Sequence, residues 1–346
     1  MGLNIREIIP RAEIDFSKLK GKIICVDAFN TLYQFLSTIR QPDGTPLMDN
    51  KKRITSHLSG IFYRNVNLIL EGIKLVYVFD GKPPDLKYKT GEKRQKARDL
   101  ATEKYEKAKQ EENIDMMRIY GSQLIRLNKE MIEESKELLN AMGIAVVQAP
   151  SEGESEAAYL CRVKKEIYAS ASQDYDSLLF GAPKLIQNLT LSRKRKTISG
   201  WVEIKPEIIE LEKVLNYLGI NLDQLICIGI LAGTDYNPKG IPGIGQKRAL
   251  QLVKQYQQPV LIFKAVEEQM MSLPEKEQFD WKEIFELFKK PKVIDAEFQF
   301  NKINEKKIRE ILVERHDFSK ERVEKQLEKL REGFEKSKQK DLKKWF

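Results

Sequence analysis

The sequence predicts an α/β fold: a mostly parallel sheet flanked by helices, carrying a charged helical insertion and followed by a mostly helical C-terminal part. Three observations lead there. Short runs that read as strands lie at 22–27, rich in Ile and Val, and at 74–79, 143–148 and 168–172. Helical stretches separate them, and 143–172 reads as a strand–helix–strand unit, the building block of parallel sheets. From Pro206 onward the pattern reads as helix to the end of the chain.

Taken in order, KIICVD (22–27) is the first strand, residues 28–39 and about 51–71 are helices, and 74–79 is the second strand. Composition then shifts. From about Asp85 to Lys129 the chain is dominated by Lys, Arg, Glu and Gln, which favours helix by propensity but leaves no broad apolar face. A helical insertion projecting from the body fits, and a solvated helical face or partly disordered loop is the alternative reading. Strands 143–148 and 168–172 enclose the helix 153–165, and shorter β signals follow near 184–189 and 197–203. The expected organisation is one core over 1–335, with an N-terminal region of about 1–100, the insertion at about 85–129, an internal region of about 130–260 and helices over about 261–335. The tail 336–346 is too polar and short to fold alone.

The 346 residues carry a net charge of +9 with 32% charged and 41% hydrophobic content. A basic protein with an acidic crevice suits a polyanionic substrate attacked at a metal site. A Lys- and Glu-rich composition also marks proteins from hot habitats. Cys25, Cys161 and Cys227 are far apart, and His57 and His316 are the only histidines. A zinc site and a histidine-based hydrolase are therefore disfavoured. Without a secretory signal or a long apolar run, the expectation is a reducing, intracellular, membrane-free setting.

Seven acids stand at the ends of apolar runs: Asp27, Asp80, Glu152, Glu154, Asp174, Asp176 and Asp235. In a parallel sheet such ends converge on one crevice. Crowded carboxylates repel one another, and divalent cations offset that. An all-oxygen set suits two Mg²⁺, or Mn²⁺, and two such ions roughly 3.5–4 Å apart can split phosphodiesters. Each acid alone also has a structural reading. Asp27 fits a helix cap, Asp80-Gly81 a turn, Ser151-x-x-Glu154 a capping box, and Asp174, Asp176 and Asp235 turns. Acids at i, i+2 in two places exceed what a cap needs, and in extended chain Asp174 and Asp176 point to the same side.

The turn Gly240-Ile241-Pro242-Gly243-Ile244-Gly245 leads into a helix opening Gln246-Lys247-Arg248. Backbone N–H groups of such a turn and a helix N-terminus bind phosphate oxygens without reading bases, and Lys247 and Arg248 add charge. A plain Gly-rich turn between helices is the alternative.

The segments VDAFNTLYQFL, SHLSGIFYRN, VYVFDGKPPDLK, APSEGESEAAYL, SQDYDSLLFG and LAGTDYNPKGIPGIGQKRAL resemble the flap endonucleases of the structure-specific 5′ nuclease family, archaeal type, over nearly the whole chain. The resemblance implies a PIN-like fold, two divalent metals on the seven acids, and cleavage of branched DNA with a 5′ flap, with 5′–3′ exonuclease action, in Okazaki-fragment maturation and long-patch repair. It implies that Lys87 and Arg94 face the scissile phosphate from the base of a helical arch and that Tyr33 stacks on a base. It also implies that Arg40, Thr55 and Arg64 lie near the bent template and 3′-flap pocket. The turn with Gly240, Gly243, Gly245, Lys247 and Arg248 would grip duplex backbone and hold K⁺. Relatives usually carry Gly at position 5, where this chain has Ile5.

Gln339, Leu342, Trp345 and Phe346 match the spacing of a peptide that docks on ring-shaped sliding clamps of the PCNA type. A monomer is expected, associated with the nucleoid. Two other functions stay open at this stage: a related 5′ nuclease for bubbles or four-way junctions, and a non-catalytic clamp-associated scaffold.

Overall fold

A computed structural model of the chain describes residues 3–111, 113–124, 126–191, 194–197 and 200–342. The short strand β1 (Ala12–Glu13) precedes β2 (Ile23–Asp27), helices α1 (Ala28–Thr38) and α2 (Ser56–Leu70), and β3 (Lys74–Phe79). The insertion follows as α3 (Tyr88–Gln110) and α4 (Ile114–Gln123), which pack on each other. Then come α5 (Lys129–Ala141), β4 (Ala145–Gln148), α6 (Gly153–Val163), β5 (Ile167–Ala171), α7 (Asp176–Leu179) and β6 (Lys184–Gln187). Strands β7 (Lys194–Thr197) and β8 (Gly200–Glu203) form a separate antiparallel ribbon.

The main sheet has seven strands in the order β1-β9-β6-β5-β2-β3-β4, where β9 is Glu207–Glu210. Strands β4, β3, β2, β5 and β6 are all parallel, so they end at the same edge. The chain moves from β2 outward to β3 and later returns to β5 on the other side, which opens a crevice at the C-terminal end of β2. The apolar runs are continuous because both faces are covered. Ile24, Val26, Leu75 and Tyr77 pack with α1, α2, α5 and the C-terminal helix. Cys25, Val76 and Val78 pack on Ala157, Leu160 and Cys161 of α6.

Three expectations change. Residues after Pro206 do not begin with a helix: Glu207–Glu210 pairs antiparallel with β6, and Ile209 is fully buried there. The β signal at 197–203 resolves into the β7–β8 ribbon. Residues 291–304 are irregular, starting at Pro291, whose ring and missing N–H suit a helix end. The remaining elements are helical: α8 (Leu211–Leu218), α9 (Leu222–Ala232), α10 (Gln246–Tyr256), α11 (Pro259–Lys264), α12 (Glu267–Met271), α13 (Trp281–Lys289), α14 (Glu305–Arg309) and α15 (Lys320–Leu342). The backbone of α15 passes residue 335, where the core was expected to end.

A second core joins α8–α13 to the N-terminal segment, and Ile5 is fully buried in it. No single described helix is long and apolar enough to cross a membrane.

Candidate active site

The strand ends deliver the acids. Asp27 closes β2 and caps α1, its Oδ1 accepting from the Asn30 amide at 3.0 Å. Asp80 follows β3 and accepts from the Gly153 amide at 2.7 Å, so it serves the N-terminus of α6 from another strand. Only glycine fits at 153: a Cβ there would lie 2.8 Å from Asp80 Oδ1 and 2.8 Å from the Val78 carbonyl. Glu152 follows β4 and stands at the N-cap of α6 without a capping bond from its side chain.

The expected box between Ser151 and Glu154 does not form. Ser151 Oγ donates to the Lys82 carbonyl at 3.1 Å, while Glu154 accepts from the Ser177 amide at 2.9 Å and hydroxyl at 2.7 Å. Asp174 follows β5 and accepts from Asn30 Nδ2 at 2.9 Å. Asp176 opens α7, buried, and its Oδ1 has no hydrogen-bond partner. The intervening Tyr175 is in the helical region, so the two acids are joined by a turn and not by extended chain. They remain electrostatic neighbours.

Acid faces acid throughout. Burial, then Asp80, raises Asp27 to about 8. Burial raises Asp80 to about 6, with Glu152 and Asp235 adding to it. Burial also drives Glu154 and Asp176 well above the ordinary carboxylate range, with Asp176 acting on the first and Asp235 on the second. Asp174 is raised by burial and Asp235. Asp235 reaches the cluster from the loop after α9, its Oδ2 3.4 Å from Lys87 Nζ.

These acids fit a pair of hard divalent cations. They are all oxygen donors, they repel one another, and an oxygen of Asp176 is buried and unpartnered. Among the described residues no three of them are drawn into a ready-made cage. Mutual repulsion opposes such closure, and Lys87 stands among them, ion-paired with Glu152.

Lys87 ends the 3₁₀ turn Asp85–Lys87 at the foot of α3, and Arg94 lies within α3. Tyr33 is exposed on α1. Arg40 is half-buried and donates to the carbonyls of Leu36, Ser37, Gly44 and Gly121, the last on α4. Thr55 is buried, its amide on the Leu47 carbonyl, whereas Arg64 on α2 is half-buried.

In the glycine turn, Gly240 and Gly243 have φ of 56° and 76°, and Gly245 caps α10. A Cβ at Gly240 would lie 2.5 Å from the Leu231 carbonyl, whereas one at Gly245 would meet nothing within 4 Å. Lys247 is exposed beside Glu7 at 2.9 Å, and Arg248 donates to the Gly243 carbonyl at 3.4 Å. Gln339 and Leu342 lie on the backbone of α15, and Trp345 and Phe346 lie outside the described residues.

Sequence reasoning missed the residues that hold the acids: Asn30, Ser177 and Tyr236, whose buried hydroxyl donates to Glu152. The only local signal was the i, i+3 spacing of Asp27 and Asn30 on the first turn of α1.

Comparison with known proteins follows the same residues. The model of the XPG N-terminal domain matches residues 5–101, and that of the XPG I-region matches 143–235. The Flap endonuclease 1 of Hyperthermus butylicus is 51% identical over 341 residues, covering 96% of this chain and 95% of that protein. That of Staphylothermus marinus is 51% identical over 357 residues, covering 100% of both.

The chain belongs to the flap endonuclease 1 family.

The solved flap endonuclease-1 from Methanococcus jannaschii matches with a TM-score of 0.75 at 37% identity, over 97% of this chain and 100% of that one. The catalytic core of Rad2 in complex with DNA substrate shares the fold, with a TM-score of 0.66 at 21% identity over 92% and 96%. As a flap endonuclease, the protein is a DNA-cleaving hydrolase, and nucleases of the XPG family depend on divalent metals.

Proposed function

We propose that this flap endonuclease cleaves by two-metal hydrolysis, with Asp27, Asp80, Glu152, Glu154, Asp174, Asp176 and Asp235 sharing two Mg²⁺, or Mn²⁺. The observation that carries the proposal is acid stacked on acid at one sheet edge, with a buried Asp176 oxygen unpartnered. When bound, the ions supply a water of lowered pKa and stabilise the leaving oxygen. The chain's own residues do the rest. Asn30, Ser177 and Tyr236 fix the rotamers of Asp174, Glu154 and Glu152 by hydrogen bonds. Lys87 and Arg94 offset charge at the reacting phosphate. Tyr33, exposed on α1, offers a base a sequence-tolerant stacking face.

Arg40, Thr55 and Arg64 belong to the template and 3′-flap side, and the turn at 240–248 grips duplex backbone and takes K⁺. Gln339, Leu342, Trp345 and Phe346 form the clamp-docking peptide of a monomeric, intracellular enzyme acting in Okazaki-fragment maturation and long-patch repair. Replacing Trp345 and Phe346 with Ala should nearly abolish binding to a PCNA-type clamp, since buried aromatic anchors commonly cost about 2 kcal/mol or more each. Flap cutting without clamp should hardly change, and undiminished clamp affinity by calorimetry would place the contact elsewhere.

The test of the main reading is Mg²⁺-dependent cutting of a labelled double-flap DNA beside bubble and four-way-junction substrates. Preference for the double flap and loss of cutting in EDTA are expected. Equal cutting of all three, or cutting in EDTA, contradicts it.

A further inference from the structure

We infer that the Lys87 ammonium and a divalent cation compete for Glu152 and Asp235, so that cation loading releases Lys87 and with it the foot of the helical insertion. The inference rests on the reading of the strand-end acids as cation-binding.

Lys87 is both the last residue of the turn Asp85–Lys87 and the N-cap of α3, its amide bonded to the Pro84 carbonyl at 2.9 Å. Its Nζ is ion-paired with Glu152 Oε1, lies 3.4 Å from Asp235 Oδ2, and sits 5.6 Å above the Tyr236 ring. The Tyr236 hydroxyl donates to the other Glu152 oxygen, Oε2. Glu152 can keep its Tyr236 hydrogen bond when a cation arrives, so the partner in competition with the cation is the positively charged Lys87 ammonium.

Tyr236 cannot easily yield, because it is buried and packed edge-on against Phe288 at 5.4 Å. Lys87 can, because its side chain is 25% exposed and ends a flexible stem. One ammonium leaves the nearby carboxylates under-neutralised, so a divalent ion wins the exchange but at reduced affinity. Lys87, once displaced, is free to meet an anion, and the turn that starts α3 loses its tether to the sheet edge. One side chain would thereby couple cation loading to the base of the insertion.

The experiment titrates MnCl₂ alone, without DNA, into the full-length wild type and the Lys87→Met, Lys87→Arg and Lys247→Ala variants by calorimetry. Hydrogen exchange across residues 85–110 is followed with and without Mn²⁺, and thermal melts confirm folding. Lys87→Met should bind Mn²⁺ about tenfold tighter, the low end of measured couplings between close charge pairs. Lys87→Arg, which keeps the charge, and Lys247→Ala, which lies on another helix, should stay near wild type. Mn²⁺ should speed exchange at the start of α3 in wild type, whereas in Lys87→Met exchange should be fast already.

Equal or weaker Mn²⁺ binding by Lys87→Met, in a wild type that binds it, overturns the exchange and leaves the cation site standing. So does wild-type exchange at α3 that Mn²⁺ does not alter. A wild type that takes up no Mn²⁺ overturns both readings.

Discussion

At the sheet edge Asp27, Asp80, Glu154, Asp174 and Asp176 face one another. Near the C-terminal helices Asp49 and Glu134 face His316 and Arg53 instead. Both groups are largely buried, yet their electrostatics run in opposite directions. Burial pushes Asp49 up, but the amide and guanidinium of Arg53 and then His316 outweigh it and bring it to about 2. Glu134 is likewise pushed up by burial and held below its ordinary value by His316. At the sheet edge the Asn30 and Gly153 amides and Lys87 also pull downward, but burial and the neighbouring acids outweigh them, and Asp27 stands at about 8 and Asp80 at about 6.

The difference separates two uses of a buried acid. His316 bridges Asp49 at 3.1 Å and Glu134 at 2.8 Å, and Arg53 also donates to the Arg315 carbonyl, so this network ties the C-terminal part to α5 and to the segment just before α2. Its charges are balanced from within the chain. The strand-end acids are balanced only in part, by Lys87, and call for positive charge from outside.

The largest expected effect breaks the comparison on the catalytic side. Asp176→Asn should cut single-turnover flap cleavage by about a thousandfold or more, while thermal stability holds or rises because an uncompensated buried charge is gone. Parallel loss of stability and rate would put Asp176 in the structural group. Asp49→Ala should do the reverse. It should cost about 3 kcal/mol in denaturant unfolding, because His316 and Arg53 lose their buried partner, with cleavage per folded molecule retained.

Acid should expose the same network. Burial, opposed by Glu134, lowers His57 from 6.5 to about 4. Its folded value lies below its unfolded one, so on acidification the unfolded chain takes up the proton first. The group costs nothing above pH 6.5, drains stability between 6.5 and about 4, and adds no further loss below that. His57→Leu should flatten that part of the stability–pH profile by about 3 kcal/mol, read from urea melts across the window. The smallest effect sharpens the boundary of the site. Lys247→Ala, at an exposed position on α10 beside Glu7, should leave the cleavage step alone and reduce the salt slope of duplex binding by about 0.9.

The fold was largely legible because apolar runs such as KIICV and KLVYVF need burial on both faces, and each announces its own end with an acid. The sheet order was not, since nothing local says that β2 lies between β3 and β5. Strand β9 escaped because EIIE is short, follows Pro206, and gains its structure from pairing with β6. The acids of the site were legible one at a time. Their supports were not, because Asn30 meets Asp174 and Tyr236 meets Glu152 across long sequence separations. Only the folded topology makes those neighbours.

The central claim, that the strand-end acids are balanced by two divalent cations during cleavage, is tested most directly by the Mg²⁺ dependence of the single-turnover rate on a double-flap substrate. At low free Mg²⁺ the rate should rise with about the second power of concentration, and it should vanish in EDTA. A rate independent of Mg²⁺, or one rising only with the first power over the whole range, contradicts the account.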